Sequence, residues 1–294
     1  MRMPVGQRKT TTEPIVGDFM TIAPSSRAKF TVPMLAARKA TQDKIAMITA
    51  YDATFTCIVD AAGVDIILVG DSVATVFQGE RTTLPVTLWE MEYHTRLVAK
   101  TRPRAMIVGD LPFGTYQVSP ELAVTHSIAL IKAGAECVKL EGGIHMAAAI
   151  QAITRADIPV MGHIGLTPQS YHRMGGNKVQ GRTDGIDPGG RDRLLEDAYA
   201  VEQAGACALV IEGIPGSLAR EITEKVSIPT IGIGAGVYCD GQVLVLHDAL
   251  GLSERSFTFA KAYAQLRTTS IGAITQYVDE VRTGTWPDDS HTYH

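Results

Sequence analysis

Short runs of β-branched and aliphatic residues recur along the chain. Each stops at a polar or glycine residue, and several are followed by a segment whose apolar positions have helical spacing. Eight such runs are present: Ile45–Ala50, Ile66–Val69, Ala105–Val108, Cys137–Leu140, Ile158–Met161, Ala208–Ile211, Ile228–Ile233 and Val243–Leu246. Runs that stay apolar without alternation suit a sheet covered on both faces. Ser119-Pro120 supplies a start signal for a helix over Glu121–Lys132, and Gly134 a stop; Arg191–Gln203 is likewise followed by Gly205. Strand–helix alternation predicts a parallel sheet, and eight units in one chain predict an α/β fold of the (β/α)8 TIM barrel kind. A doubly wound open sheet is the runner-up. Residues 1–28, with Pro4, Pro14 and Pro24, read as an irregular arm, and residues 29–294 as a single barrel domain.

Composition narrows the function. The 294 residues suffice for one barrel, which takes roughly 250. A net charge of −4 lacks the basic footprint of a nucleic-acid binder. No apolar stretch approaches the roughly 20 residues that span a bilayer, and residues 1–29 contain no apolar signal core. Cys57, Cys137, Cys207 and Cys239 are scattered, which argues against a disulfide framework or a structural zinc site. A cytoplasmic protein is expected. Gly232–Gly236 lacks the last glycine of a dinucleotide fingerprint, and neither a P-loop nor a serine-hydrolase elbow occurs.

The chemistry lies at the ends of the apolar runs. In a (β/α)8 barrel the strand C-termini form the active-site rim. That rim would collect Asp71, Asp110, Glu141, His163 and Glu212 from five different strands. Taken singly, each acid also reads as a helix cap or a surface ion pair. Taken together, four converging acids repel one another, and a divalent cation relieves the repulsion. Oxygen donors favour Mg²⁺, with Mn²⁺ or Ca²⁺ as alternatives, and the absence of a Cys/His cluster argues against zinc. Lys139 shares a strand face with Glu141 and can anchor a substrate carboxylate or simply pair with that acid. His163 can bind substrate or sit in the core, and Ser72 can bind ligand or cap a helix. Asp52 and Asp248 read as caps or supporting residues. The long loop from Gly165 to Pro188 reads as a lid.

Motifs in a fixed order complete the reading: MITAYDATF at 47–55, LVGDS at 68–72, GDLPFGTYQVSPE at 109–121, AGAECVKLEGG at 133–143, GHIGLTPQS at 162–170, GGNKVQGR at 175–182 and IPTIGIGAGVYCDGQVLVLHDALGL at 228–252. With TTLPVTLWEMEYHT at 82–95, this series resembles the ketopantoate hydroxymethyltransferase family from about Phe30 onward. The resemblance implies a barrel of the phosphoenolpyruvate mutase/isocitrate lyase type. It implies transfer of a hydroxymethyl group from 5,10-methylenetetrahydrofolate to 3-methyl-2-oxobutanoate, through a Mg²⁺-stabilised enolate, in pantothenate biosynthesis. Residue by residue, it places the metal on Asp71, Asp110 and Glu141, the keto-acid contacts on Ser72, Lys139 and His163, and the general base on Glu212. It also implies a homo-oligomer, commonly a decamer, and small-molecule partners only. The alternative is a folate-independent lyase on the same barrel; LTPQS and KVQGR favour the transferase. Departures from the family pattern fall at Gly213, Asn177 and 253–263, and those at Asn177 and 253–260 bear on donor-side or lid contacts.

Overall fold

A computed structural model describes residues 28–254 and 257–293. Of the expected arm, residues 1–27 lie outside the described residues. The strands are β1 (Ile45–Thr49), β2 (Ile66–Val69), β3 (Met106–Asp110), β4 (Cys137–Glu141), β5 (Val160–Gly165), β6 (Ala208–Glu212), β7 (Thr230–Ile233) and β8 (Gly241–Leu244). Each pairs in parallel with its successor, and β8 returns to β1, so the sheet closes and the open-sheet alternative is excluded.

The helices are α1 (Val32–Thr41), α2 (Ala53–Ala62), α3 (Val73–Val76), α4 (Leu88–Lys100), α5 (Pro120–Ala133), α6 (Ala147–Arg155), α7 (Tyr171–Met174), α8 (Arg191–Gln203), α9 (Gly216–Lys225), α10 (Leu246–Ala249) and α11 (Leu266–Thr283). The signals read for α5 operate as expected. Ser119 accepts from the Leu122 amide, and Gly134 closes the helix at φ +113°.

Two apolar layers hold the barrel. Alternate strand residues fill its interior, among them Met47, Leu68, Met106, Val108, Met161 and Val210. The intervening ones, such as Ile67, Ile107, Val138 and Leu209, pack outward against the helices. Burial of this kind contributes about 25 cal/mol per Å² of apolar surface. The N-terminal end is stoppered by Phe30, 2% exposed. Its amide donates to the Arg104 carbonyl at 2.8 Å, and Lys39 of α1 holds Asp240 at 2.8 Å.

Five strands have limits that differ from expectation in ways that matter. Asp110, Glu141 and Glu212 are the last residues of β3, β4 and β6 rather than residues beyond them. Ladder bonds form whatever the side chain, so polarity does not end a strand. β5 starts two residues late and runs to Gly165, which places His163 inside it. β8 begins at Gly241, before the expected start. A Cβ at Gly241 would lie 2.5 Å from the Ile45 carbonyl oxygen, so this strand closes the barrel where only glycine fits. The long loop contains a 3₁₀ turn, Pro168–Ser170, and α7 before its irregular remainder. No residue of α11 is buried.

Gly134→Ala is expected to destabilise the protein. The new Cβ would sit 2.3 Å from Ala99 Cβ at a positive φ. Strain and overpacking together cost about 2 kcal/mol or more. Urea unfolding checks this; a change below about 0.5 kcal/mol, the scale of ordinary surface substitutions, contradicts it.

Candidate active site

Strand register assembles the site. In the parallel ladder Asp110 lies beside Lys139, Glu141 beside His163, and Gly165 beside Glu212. Asp110, Lys139, Glu141, His163 and Glu212 continue the inward parity of their strands, so all point into the C-terminal mouth. Asp71 follows β2, where its amide donates to Asp110 Oδ2 at 3.3 Å.

The side chains form a dense polar cluster. Lys139 Nζ donates to both oxygens of Asp110, at 2.9 and 2.8 Å, and stands 4.0 Å from Glu141 Oε1. His163 bridges two acids, with Nδ1 3.3 Å from Glu141 Oε1 and Nε2 3.3 Å from Glu212 Oε2. Both are ion-pair contacts out of line for a hydrogen bond, so neither ring nitrogen has a hydrogen-bond partner. Ser72 Oγ shares a hydrogen bond with the Tyr51 hydroxyl at 2.8 Å. Exposure separates the acids: the side chains of Asp110 and Glu141 are 1% and 3% exposed, and Glu212 is 17% exposed.

Electrostatics follow from that burial. Desolvation, reinforced by Asp110 and Glu141, pushes Asp71 up to about 8. Desolvation also raises Asp110, against the pull of Lys139. Glu141 goes the other way: burial opposes its charge, but His163 and Lys139 outweigh burial and lower it. Burial and Lys139 disfavour the His163 cation, yet Glu141 and Glu212 raise it to about 9. The imidazole is therefore protonated at neutral pH. Four acids face two cations, Lys139 and His163. The proton retained on Asp71 removes one of the two excess negative charges.

That imbalance bears on a metal. As they stand, no three His, Cys, Asp or Glu side chains among the described residues are arranged to hold an ion. Asp110 is engaged by Lys139, and Glu141 by His163. The donor chemistry nevertheless fits a hard divalent cation: the oxygens of Asp71, Asp110 and Glu141 converge with too little positive charge.

Sequence reasoning overlooked the residue that ties the cluster together. Gln169 is 6% exposed. Its amide donates to Asp71 Oδ2 at 2.9 Å and the Leu111 carbonyl at 3.0 Å, and its backbone amide donates to Glu141 Oε2 at 3.0 Å. Its own carbonyl accepts from Tyr116 Oη at 2.7 Å and Gln117 Nε2 at 3.1 Å. Tyr116 Oη in turn accepts from the Glu141 amide. Gln169 sits in a loop, where no periodicity marks it; only its place in the LTPQS motif singled out the stretch. Asp52 proves to be a cap, accepting from the Phe55 amide. Asp248 lies in the first turn of α10.

Comparison with known proteins gives the family. The sequence profile of the ketopantoate hydroxymethyltransferase family matches residues 29–289. The chain belongs to the ketopantoate hydroxymethyltransferase family. The 3-methyl-2-oxobutanoate hydroxymethyltransferase of Pelobacter propionicus is 53% identical over 270 residues, covering 91% of this chain and 98% of that one. The Geobacter sulfurreducens protein of the same name is 53% identical, covering 91% and 99%. Among solved structures, 2,3-dimethylmalate lyase, a PEP mutase/isocitrate lyase superfamily member, superposes with a TM-score of 0.57 at 16% identity over 89% of this chain and 91% of that one. That likeness is one of fold, a closed eight-stranded barrel, and the chain is a hydroxymethyltransferase of the matched family. Among the described residues no helix is long and apolar enough to cross a membrane.

Two outcomes are expected of this cluster. Gln169→Ala leaves the Asp71 carboxyl without its side-chain donor and the Tyr116 hydroxyl proton without its acceptor, and should cost about 1–3 kcal/mol for each group left unsatisfied, with activity falling more than stability. Retained kcat with a lowered melting temperature would make Gln169 merely structural. In the presence of a chelator, Asp71→Asn should gain stability over the parent as pH rises from 5.5 to 8.5. The folded parent binds the Asp71 proton up to about 8 whereas the unfolded chain releases it near 3.8, so parent stability falls through that window. Thermal melts at the two pH values check the sign; a constant gap between parent and variant contradicts it.

Proposed function

We propose that the chain transfers a hydroxymethyl group from 5,10-methylenetetrahydrofolate to 3-methyl-2-oxobutanoate, giving 2-dehydropantoate and tetrahydrofolate. Family membership supports the reaction. The single structural observation that carries the assignment of roles is Glu212. It is the least buried of the four acids and lies 3.3 Å from a protonated His163 at the barrel mouth. Its carboxylate is the one most open to an incoming substrate, and His163 fixes its position, as a general base requires.

Asp71, Asp110 and Glu141 are the residues to hold Mg²⁺, in competition with Lys139 for Asp110 and with the proton on Asp71. Bound there, the ion supplies Lewis-acid stabilisation of charge building on the 2-oxo oxygen. Lys139 Nζ and the unsatisfied His163 nitrogens are the donors for the substrate carboxylate, with the Ser72 hydroxyl beside them. Glu212 takes the C3 proton, the resulting carbanion forms the new C–C bond to the one-carbon unit of the folate, and one water supplies the hydroxyl as the C–N bond breaks and tetrahydrofolate leaves with a proton. Fixed donors around a small acid supply much of the rate by positioning. The loop from Gly165 to Pro188 excludes water from the carbanion.

The remaining expectations form part of the same proposal. Residues 29–294 act as one catalytic barrel with 1–28 as an arm, in the cytoplasm, with small-molecule partners and no nucleic acid. The chain assembles as a homo-oligomer, in the family's form a decamer. The support for assembly is α11, none of whose residues is buried and which presents Ile271, Ile274 and Tyr277, 52–62% exposed. Such an apolar stripe favours a protein contact over water. Ile271→Asp with Ile274→Asp should give a smaller species in sedimentation; unchanged assembly contradicts the placement.

Proton NMR of 3-methyl-2-oxobutanoate, tetrahydrofolate and formaldehyde with the protein tests the reaction. Product is expected with Mg²⁺ and absent with excess chelator. Glu212→Gln should reduce turnover by about 10²–10⁴-fold, the usual contribution of a general base, while keto-acid binding persists. Folded protein that forms no product shifts the assignment to a folate-independent lyase.

A further inference from the structure

Beside the barrel mouth lies a cavity of about 230 Å³ that the proposed roles leave unused. Its floor begins at Gly142 and Ile164, one residue beyond Glu141 and His163 on neighbouring strands, and the loop holding Arg173 and Gln180 roofs it. Whole drug-sized ligands occupy roughly 300–1,000 Å³, so this space suits one end of a larger molecule.

Its polar lining is cationic. Arg173 and Arg193 both face it, against one acid, Asp197. Asp197 is already committed: it accepts from the Ile144 amide at 2.9 Å and from Arg193 Nε at 3.1 Å. Gly143 is what permits that approach, since a Cβ there would lie 2.0 Å from Asp197. Arg173 has no ion pair among the described residues; it donates to Ser170 Oγ at 3.2 Å. A second observation is independent of these charges. Thr167 lines the cavity, is 5% exposed, and its Oγ1 has no hydrogen-bond partner. A buried hydroxyl left unpaired is costly and points to a missing partner. Burial, followed by the two guanidinium groups against Asp197, lowers His145 in the same wall, so its imidazole is neutral at neutral pH.

We propose that this cavity is a carboxylate-binding subsite that takes the glutamyl end of the folate donor. The donors are Arg173, the free guanidinium N–H groups of Arg193, and Thr167 Oγ1. The inference rests on the folate-dependent reading of the function. In that donor an aminobenzoyl ring separates the one-carbon unit from the glutamate. A cationic cavity adjoining the reacting centre, sized for a fragment, matches that layout. Guanidinium groups suit carboxylates because they offer paired N–H donors.

The test uses the full chain with Mg²⁺ and two readouts. In calorimetric titration, N-(4-aminobenzoyl)-L-glutamate should bind, 4-aminobenzamide should not, and Arg173→Gln should weaken the former about tenfold, the effect of losing one charged hydrogen bond. In steady-state assays, Arg173→Gln should raise KM for the tetrahydrofolate donor by a similar factor. KM for the donor made from tetrahydropteroate, which lacks glutamate, and KM for 3-methyl-2-oxobutanoate should stay put. Equal effects on both donors, or none, overturn the subsite. So does Arg173-dependent binding of pantoate in place of the aminobenzoylglutamate, which would make the cavity an effector site. Failure of both donors to yield product would overturn the reaction instead, and the titration still decides what the cavity binds.

Discussion

Four carboxylates gathered at one end of a closed barrel impose the constraint on which the rest of the site depends. Lys139 and His163 balance two of them, a proton kept on Asp71 removes a third charge, and one negative charge is left over. Removing ionised groups from water costs several kcal/mol each unless they are paired. The cluster is therefore expensive to fold, and that expense makes sense only where a cation and an anionic substrate complete the charge balance. The same imbalance accounts for the opposite behaviour of neighbouring acids. Asp71 holds its proton because burial and the neighbouring Asp110 and Glu141 outweigh the pull of Lys139, whereas Glu141 loses its own because His163 and Lys139 overcome its burial.

The barrel makes so costly a cluster possible. Parallel register places Asp110 beside Lys139 and Glu141 beside His163, so each acid meets its cation as a ladder neighbour. Below them the apolar interior, closed by Phe30, keeps the platform dry and rigid. Above them Gln169 crosses from the loop after β5 to Asp71, Glu141 and Tyr116, locking side chains that originate on separate strands. The preorganisation thus comes half from the ladder and half from one buried amide.

Much of this was legible in the amino-acid sequence. Eight apolar runs ending at polar or glycine residues indicate the barrel, and strand parity alone puts Lys139 and Glu141 on one face. Strand limits were less legible, because backbone pairing continues through Asp110, Glu141 and Glu212 regardless of their polarity. β8 begins before the apolar run at Val243 because Gly241 and Gln242 are not apolar β-formers, while close approach to Ile45 makes the glycine part of the ladder. Gln169, Tyr116 and Tyr51 went unnoticed for a different reason. Their roles arise from contacts 21–98 residues away in sequence, and long-range hydrogen bonds leave no periodic trace. The motif series carried information that local physics could not supply, since it identified the family before the long-range contacts were known.

The account turns on Glu212 acting on the C3 proton only once the missing positive charge is supplied. Exchange of that proton isolates the step from folate chemistry. The protein is incubated in deuterated water with 3-methyl-2-oxobutanoate alone, with and without Mg²⁺, and loss of the C3 proton signal is followed by NMR. The account predicts protein-catalysed exchange that requires Mg²⁺ and disappears in Glu212→Gln. Exchange that proceeds equally in excess chelator, or survives the loss of Glu212, would contradict it.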